Sequence, residues 1–234
     1  MTPLLLLFGF PPHVAVGTDL LYASITKAGG VVVHKRQGTI RWNIVFYLFA
    51  GSLPASLATV YVLHSYFPDS ESYGHVLTSM LGIMLILTSI VLLFRKKILS
   101  ESHEHNKSGI LAHLQHHSPR YTWAMGVLLG IMVTLSSVGA GAFGAAVLLL
   151  LSPRLPSINV VGTDLAHAVP LTLVAGTGHL FLGNVDFYLL GALLVGSLPA
   201  IYVGTKVATR LPEKFLQPML ASMLLALGVK YAFF

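Results

Sequence analysis

Three ionisable side chains sit squarely inside long apolar runs of this chain: Asp19, Lys27 and Asp164. A charge held at the centre of a bilayer costs at least about 2.5–3.5 kcal/mol on insertion scales, so an acid or base kept there points to a site for an ion or a proton. Lys27 follows Asp19 by eight residues, close to one helical face, and His167 follows Asp164 by three. The expected pairs are therefore Lys27 with Asp19 and His167 with Asp164. The two Gly-Thr-Asp segments also read as helix N-caps, in which Thr18, Asp19, Thr163 or Asp164 satisfies free N–H groups. Lys27 likewise reads as a side chain snorkelling toward the basic edge near Lys35.

A second kind of chemistry is offered by "SSVGAGAFG" at 136–144. A half-helix that starts at a glycine break aims unpaired backbone N–H groups and a positive dipole end at its surroundings, which suits an oxyanion. Gly139, Gly141 and Gly144 form that break, and Ser136 and Ser137 add hydroxyl donors. Close packing of small residues between helices is the competing reading. A nucleotide site is not indicated, because no P-loop Lys-Ser/Thr follows the glycines. "GSLPA", at 51–55 and again at 196–200, places Pro54 and Pro199 inside apolar spans. Each removes a backbone N–H and frees a carbonyl one turn earlier, so the two prolines read as kinks or hinges.

The elements that must position these residues are transmembrane helices. Hydrophobic residues make up 55% of the chain, charged ones 9%, and mean hydropathy is +0.78, far from the roughly 25% charged of a soluble domain. Several apolar runs reach the roughly 20 residues that cross a bilayer as a helix, without the period-2 alternation of a barrel. The expected fold is an all-α polytopic membrane protein, with spans at 14–33, 42–65, 75–94, 158–181, 186–205 and 215–233 and an unusual stretch at 121–152. The opening "MTPLLLLFGFPP" lacks the basic start and small-residue cleavage site of a signal peptide. With no cysteine, thiol chemistry is excluded. The net charge of +6 belongs to loops that set orientation, and nucleic acid is not an expected partner.

The spans repeat. Residues 16–55 set against 161–200 without a gap share fourteen identities in forty, including "VGTDL", His34/His179 and "GSLPA". "MLGIML" at 80–85 echoes "MLASML" at 219–224 once a six-residue difference in the preceding loop is allowed. Internal duplication accounts for both. The expected organisation is a first repeat at 1–94, a linker at 95–120 and a second repeat at 121–234. Lysines and arginines cluster at 35–41, 95–120, at 154 and at 206–214, while the loops at 66–74 and 182–186 have none. Positive-inside logic places the basic groups in the cytoplasm and the bare loops outside. The stretch 121–152 must then enter and leave on one side, as a re-entrant helix, break, helix hairpin, and the two repeats come out inverted. Such pairs are the common plan of secondary transporters. In this alignment Met1 matches Ala146, so the first repeat is expected to lack its entering arm and its glycines, and the chain to be N-terminally shortened.

The linker carries His103, His105, His113, His116 and His117. His-rich tracts can bind metal, but no carboxylate or spacing defines a site, so a solvated loop is expected. His34 and His179, at matching positions near span ends, are expected to make interfacial hydrogen bonds.

"MTPLLLLFGFPPHVAVGTDLLYASITKAGG", the glycine break at 136–144, the second "VGTDL" and the paired "GSLPA" together resemble the TauE/SafE sulfite exporter family, the TSUP permeases, over essentially the whole chain. The resemblance implies two inverted repeats in a bacterial inner membrane and transport of sulfite, sulfonates or other small sulfur-containing or organic anions. It carries over to Gly139, Gly141 and Gly144, and to Thr18/Asp19 with Thr163/Asp164. The departure is the missing first glycine stretch.

The function expected is a secondary permease of a small anion, with no cofactor, no resident metal and no enzymatic activity. Broken-helix N–H groups and Lys27 would bind the anion. Asp19 and Asp164 would stabilise Lys27 and His167 or relay a coupling proton; a cation is the other expected coupling ion. With no ATP motif, energy comes from an ion gradient. Two rivals are an intramembrane enzyme using Asp/His pairs, for which no G-x-S-x-G or H-E-x-x-H is present, and a metal-cation carrier read by the histidine linker. The sequence sets no oligomeric state.

Overall fold

A computed structural model describes residues 1–67, 69, 72–104, 118–139, 141–152, 155–208 and 213–233. They form the helices α1 (Thr2–Leu7), α2 (Pro12–Arg36), α3 (Trp42–Tyr66), α4 (Gly74–Glu104), α5 (Ser118–Ser136), α6 (Ala142–Leu151), α7 (Ser157–Phe181), α8 (Phe187–Ala208) and α9 (Glu213–Phe233). No strand occurs among the described residues.

The duplication is visible in the backbone. Helices α2 and α7 each run 25 residues, and their starts, Pro12 and Ser157, stand 145 positions apart. Each follows a proline, Pro11 or Pro156, with nearly the same dihedrals (φ −57°, ψ 142° and φ −55°, ψ 143°). The proline ring fixes φ near −65°, which both residues satisfy at the extended position just before the first turn. Each helix ends just before a glycine with positive φ, Gly38 at 67° and Gly183 at 77°, a conformation that costs a side-chain-bearing residue steric energy. Helices α4 and α9 start at Gly74 and Glu213, 139 positions apart, which is the shift that the six-residue loop difference predicts.

Equivalent helices pack against one another in opposite directions. Residues near the start of α2 face the end of α7 and its following turn, and the reverse also holds: Gly17 lies against Asn184, Gly30 against Leu165, Leu21 against Gly176, and Gly162 against His34 and Thr39. A Cβ at Gly17 would run into the Asn184 carbonyl, so the two backbones meet there only because residue 17 carries no side chain. Helices α4 and α9 are antiparallel in the same way, with Gly82 against Ala232, Gly228 against Ile86, and the Ser89 hydroxyl donating to the Ala221 carbonyl at 2.8 Å. Helix α5 instead runs parallel to α3, with the Leu48–Gly126, Ser52–Gly130 and Ser56–Thr134 contacts rising together along both.

The interior is apolar, with Leu20, Leu48, Leu77, Leu129, Leu148 and Leu171 drawn from six helices into one cluster. The exterior is apolar too: Phe46, Tyr66, Phe181 and Tyr188 are all strongly exposed. Soluble proteins rarely expose so much apolar surface, whereas lipid favours it. By length and composition the stretches Trp42–Tyr66, Gly74–Phe94 and Ser157–Phe181 can cross a bilayer, and Phe187–Ser197 and Pro218–Phe233 are shorter apolar helices.

One expectation needs adjusting. The linker at 95–120 does not begin as a loop: α4 continues to Glu104 and α5 begins at Ser118. The reason lies in "RKKILSE", whose Arg, Lys, Leu and Glu are good helix formers and extend the helix beyond the apolar run. The stretch 121–152 is a helix, a break and a short helix, as expected, with residues 137–141 between α5 and α6. His105, His113, His116 and His117 lie outside the described residues.

Candidate substrate site

Asp19 and Asp164 occupy equivalent places on α2 and α7, and both are 3% exposed. Each meets a short helix. Asp19 Oδ2 accepts hydrogen bonds from the Met1 amino group at 3.0 Å, the Thr2 N–H at 2.8 Å and the Thr2 hydroxyl at 2.6 Å. It thereby caps the start of α1, where a carboxylate also meets the positive end of the helix dipole. Asp164 lies at the start of α6, over Gly144, where any Cβ would strike its Oδ1. That oxygen is buried and has no hydrogen-bond partner. A buried polar atom without a partner is costly, and inside a long apolar helix it marks a place where a ligand or proton belongs.

Beside Asp164 is a cavity of about 270 Å³ between α4, α6 and α7, lined by Val91, Gly141, Ala146, Ser157 and Val160 among others. Its walls are mostly apolar, and the polar groups at them are Asp164, Ser157 and the backbone of the glycine break. Gly139 and Gly141 have φ of 127° and 145°. Gly141 is the N-cap of α6 and supplies no side-chain cap. The first turn is tied only by backbone, with Gly144 N–H donating to the Gly139 carbonyl at 3.0 Å and Ala145 N–H to the Gly141 carbonyl at 2.8 Å. Lys27, on α2, interacts electrostatically with both Asp164 and Asp19. The structure thus places Gly141 and Gly144 at Asp164, with Lys27 interacting electrostatically with the carboxylate.

Other predicted residues have different surroundings. The Thr18 hydroxyl accepts from the Asp186 N–H at 3.1 Å, and the Thr163 hydroxyl from the Arg41 N–H at 3.0 Å. These are one contact made twice, since Thr18 and Thr163, like Arg41 and Asp186, are 145 positions apart. Each threonine holds the turn that leads into the other half's next helix. His167 pairs through Nε2 with the Ser52 hydroxyl of α3 at 2.9 Å rather than with Asp164, and its Nδ1 has no partner. Ser136 is occupied locally, its hydroxyl 2.6 Å from the Met132 carbonyl and receiving the Val138 N–H at 3.2 Å. Ser137 takes φ 57°, and its buried Oγ has no partner. Pro54 and Pro199 sit inside α3 and α8 on exposed faces.

Sequence reasoning missed a buried polar seam that links α3, α5 and α7 with the turn after α7. Thr134 donates to Ser56 at 2.8 Å; His179 Nε2 donates to the Thr134 carbonyl at 2.9 Å; Asn184 donates to His179 Nδ1 at 3.1 Å and to the Tyr73 hydroxyl at 2.6 Å. The Thr134 carbonyl can only accept, so the seam cannot hand a proton along its length and serves as a brace. The sole signal in the sequence was the equivalence of His34 and His179. His34 repeats the inner contact, with Nδ1 2.8 Å from the Thr39 hydroxyl, at the position equivalent to Asn184.

The chain is similar to known membrane proteins. A family profile described as "Sulfite exporter TauE/SafE" matches residues 1–231. The chain is 34% identical over 230 residues to a probable membrane transporter protein, YjnA, of Bacillus subtilis, covering 98% of this chain and 89% of that one. It is 32% identical over 235 residues to a second from the same organism, YdhB, covering 95% and 88%. A probable membrane transporter protein of Xylella fastidiosa is 24% identical over 202 residues, covering 86% of this chain and 71% of that one. No solved structure matches the chain.

Proposed function

Given that the chain belongs to the TauE/SafE sulfite exporter family of multi-pass membrane transporters, we propose that it moves a small sulfur-containing anion, sulfite or a sulfonate, in exchange for the free energy of a proton gradient. The observation that carries this reading is Asp164: a buried carboxylate with one oxygen unpartnered, standing at a glycine-broken helix start, beside a cavity and within electrostatic reach of Lys27.

Charge balance supplies the mechanism. In a low-dielectric site Lys27 carries one positive charge and Asp164 one negative, and an added monoanion leaves the site with an unbalanced charge. Protonation of Asp164 removes the imbalance, and the neutral acid can then donate a hydrogen bond to the anion instead of repelling it. Anion and proton therefore enter and leave together. The start of α6 contributes its dipole to the same site.

Alternating access follows from the antiparallel packing of like helices. The two halves are proposed to lie inverted in the bilayer, so that rocking one against the other opens the site to each side in turn. The test is flux of labelled sulfite and of a short alkyl sulfonate into proteoliposomes under an imposed pH gradient. Uptake that follows the gradient, falls at least about tenfold in Asp164→Asn and Lys27→Met, and leaves no chemically altered product supports the reading. Flux indifferent to both substitutions, or turnover to a new product, removes it.

A further inference from the structure

A second cavity shares two register positions with the Asp164 cavity and differs from it in charge. The Asp164 cavity is walled on its α4 side by Val91 and Leu92. With α4 and α9 in a register of 139 positions, the residues equivalent to Val91 and Leu92 are Lys230 and Tyr231. Those two line a second cavity of about 300 Å³, between the start of α4 and the end of α9, together with His75, Thr78 and Ser79. Where the first cavity has a valine and an acid, the second has a lysine, and no carboxylate side chain stands among the described residues that line it.

The groups in the second cavity are held for donation. The Lys230 ammonium lies 5.6 Å from the centroid of the Tyr231 ring, where the π face favours a cation. That ring is tethered in turn, because the Tyr231 hydroxyl donates to the Pro3 carbonyl of α1 at 3.1 Å. Ser79 Oγ and His75 Nδ1 are 3.3 Å apart. If the serine donates, the imidazole keeps its Nε2–H; if the imidazole donates, the serine keeps its O–H. Either arrangement leaves a polar hydrogen uncommitted. The Thr78 hydroxyl is spent on the Gly74 carbonyl at 2.6 Å and only shapes the wall.

We propose that this cavity is a second station for an oxyanion, separate from the Asp164 site, with Lys230 supplying the charge and the His75–Ser79 pair the hydrogen bond. The inference takes its cargo class from the proposed function, while the station itself rests on the charge and donors of the cavity. A free sulfur oxyanion and the phosphate of a lipid headgroup present the same chemistry.

The experiment is binding of radiolabelled sulfite to the purified full chain in nanodiscs of phosphatidylcholine, with a parallel arm in discs containing phosphatidylglycerol read by native mass spectrometry. Lys230→Gln is expected to weaken sulfite binding about tenfold or to remove one class of site, about the cost of losing one charge-assisted contact, whereas Lys230→Arg retains it. Retention of phosphatidylglycerol that is lost in Lys230→Gln, without a Lys230-dependent sulfite site, assigns the station to lipid. Sulfite and phosphatidylglycerol binding both unchanged in Lys230→Gln, with the melting temperature of the wild type, overturns the proposal. Failure of the transport reading is distinguishable, since it would show as flux insensitive to Asp164→Asn while Lys230-dependent binding persists.

Discussion

Asp19 and Asp164 stand at equivalent positions of two like helices, yet Asp19 Oδ2 receives hydrogen bonds from Met1 and Thr2 while Asp164 Oδ1 receives none. Asp19 is committed to holding the start of α1, whereas Asp164 keeps a buried oxygen open to a ligand or a proton. Asp164→Asn is therefore expected to abolish pH-driven net flux while leaving anion exchange between equal pools at roughly half the wild-type rate or more. Asp19→Asn is expected to act mainly on stability, lowering the melting temperature. Parallel flux and thermal-unfolding measurements on both variants check the division.

Thr18 and Thr163 predict a matched pair of losses. Replacing either by Val leaves a backbone N–H, of Asp186 or Arg41, without its acceptor, at a cost of about 1–2 kcal/mol for an interhelical hydrogen bond in a membrane protein. The two contacts lie at opposite ends of α2, more than about 20 Å apart at 1.5 Å per residue, so the double variant should lose the sum of the singles. Denaturant unfolding in mild detergent reads this, and strong non-additivity would argue that the halves do not hold each other independently at the two ends.

Gly126 and Gly191 make a contrasting pair. A Cβ at Gly126 would strike the Leu48 carbonyl where α5 crosses α3, whereas nothing stands within 4 Å of one at Gly191. Gly126→Ala is expected to destabilise by about 1–3 kcal/mol through overpacking, and Gly191→Ala to be neutral or slightly stabilising through helix propensity. Melting temperatures of the two variants decide it.

Much of this was legible in the sequence because it is local or repeated. The positions of α2 and α7, their proline entries and glycine exits, and the break between α5 and α6 follow from residue types within a turn or two. The partners of His167 and Thr163 were not legible. Three-residue spacing suggested that His167 would serve Asp164, but spacing along one helix is blind to a serine that α3 brings to the same imidazole. The threonine clasps were hidden for a similar reason, since their donors are backbone N–H groups that carry no signature of their own. The extension of α4 to Glu104 was missed by treating polar composition as loop, although helix propensity does not require apolar residues.

Orientation is the most accessible remaining prediction, because the chain has no native cysteine to block labelling. Gln37 and Leu182 are the equivalent C-caps of α2 and α7. Cysteines placed there are expected to react with an impermeant maleimide from opposite faces of right-side-out vesicles, Gln37→Cys only after permeabilisation. Labelling of both from one face would leave the two halves pointing the same way and the rocking mechanism without a basis.

The threonine clasps grip main chain and ignore side chain, and the residues they hold are Arg41 in one half and Asp186 in the other. A duplicated gene needs some positions free to drift apart while the joint between its products stays intact, and here the joint itself is blind to the identity of what it fastens. Opposite charges can accumulate at those two corners without loosening anything, so the bias that tells an insertion machinery which way up to place each copy could be written onto a symmetrical frame at no structural expense.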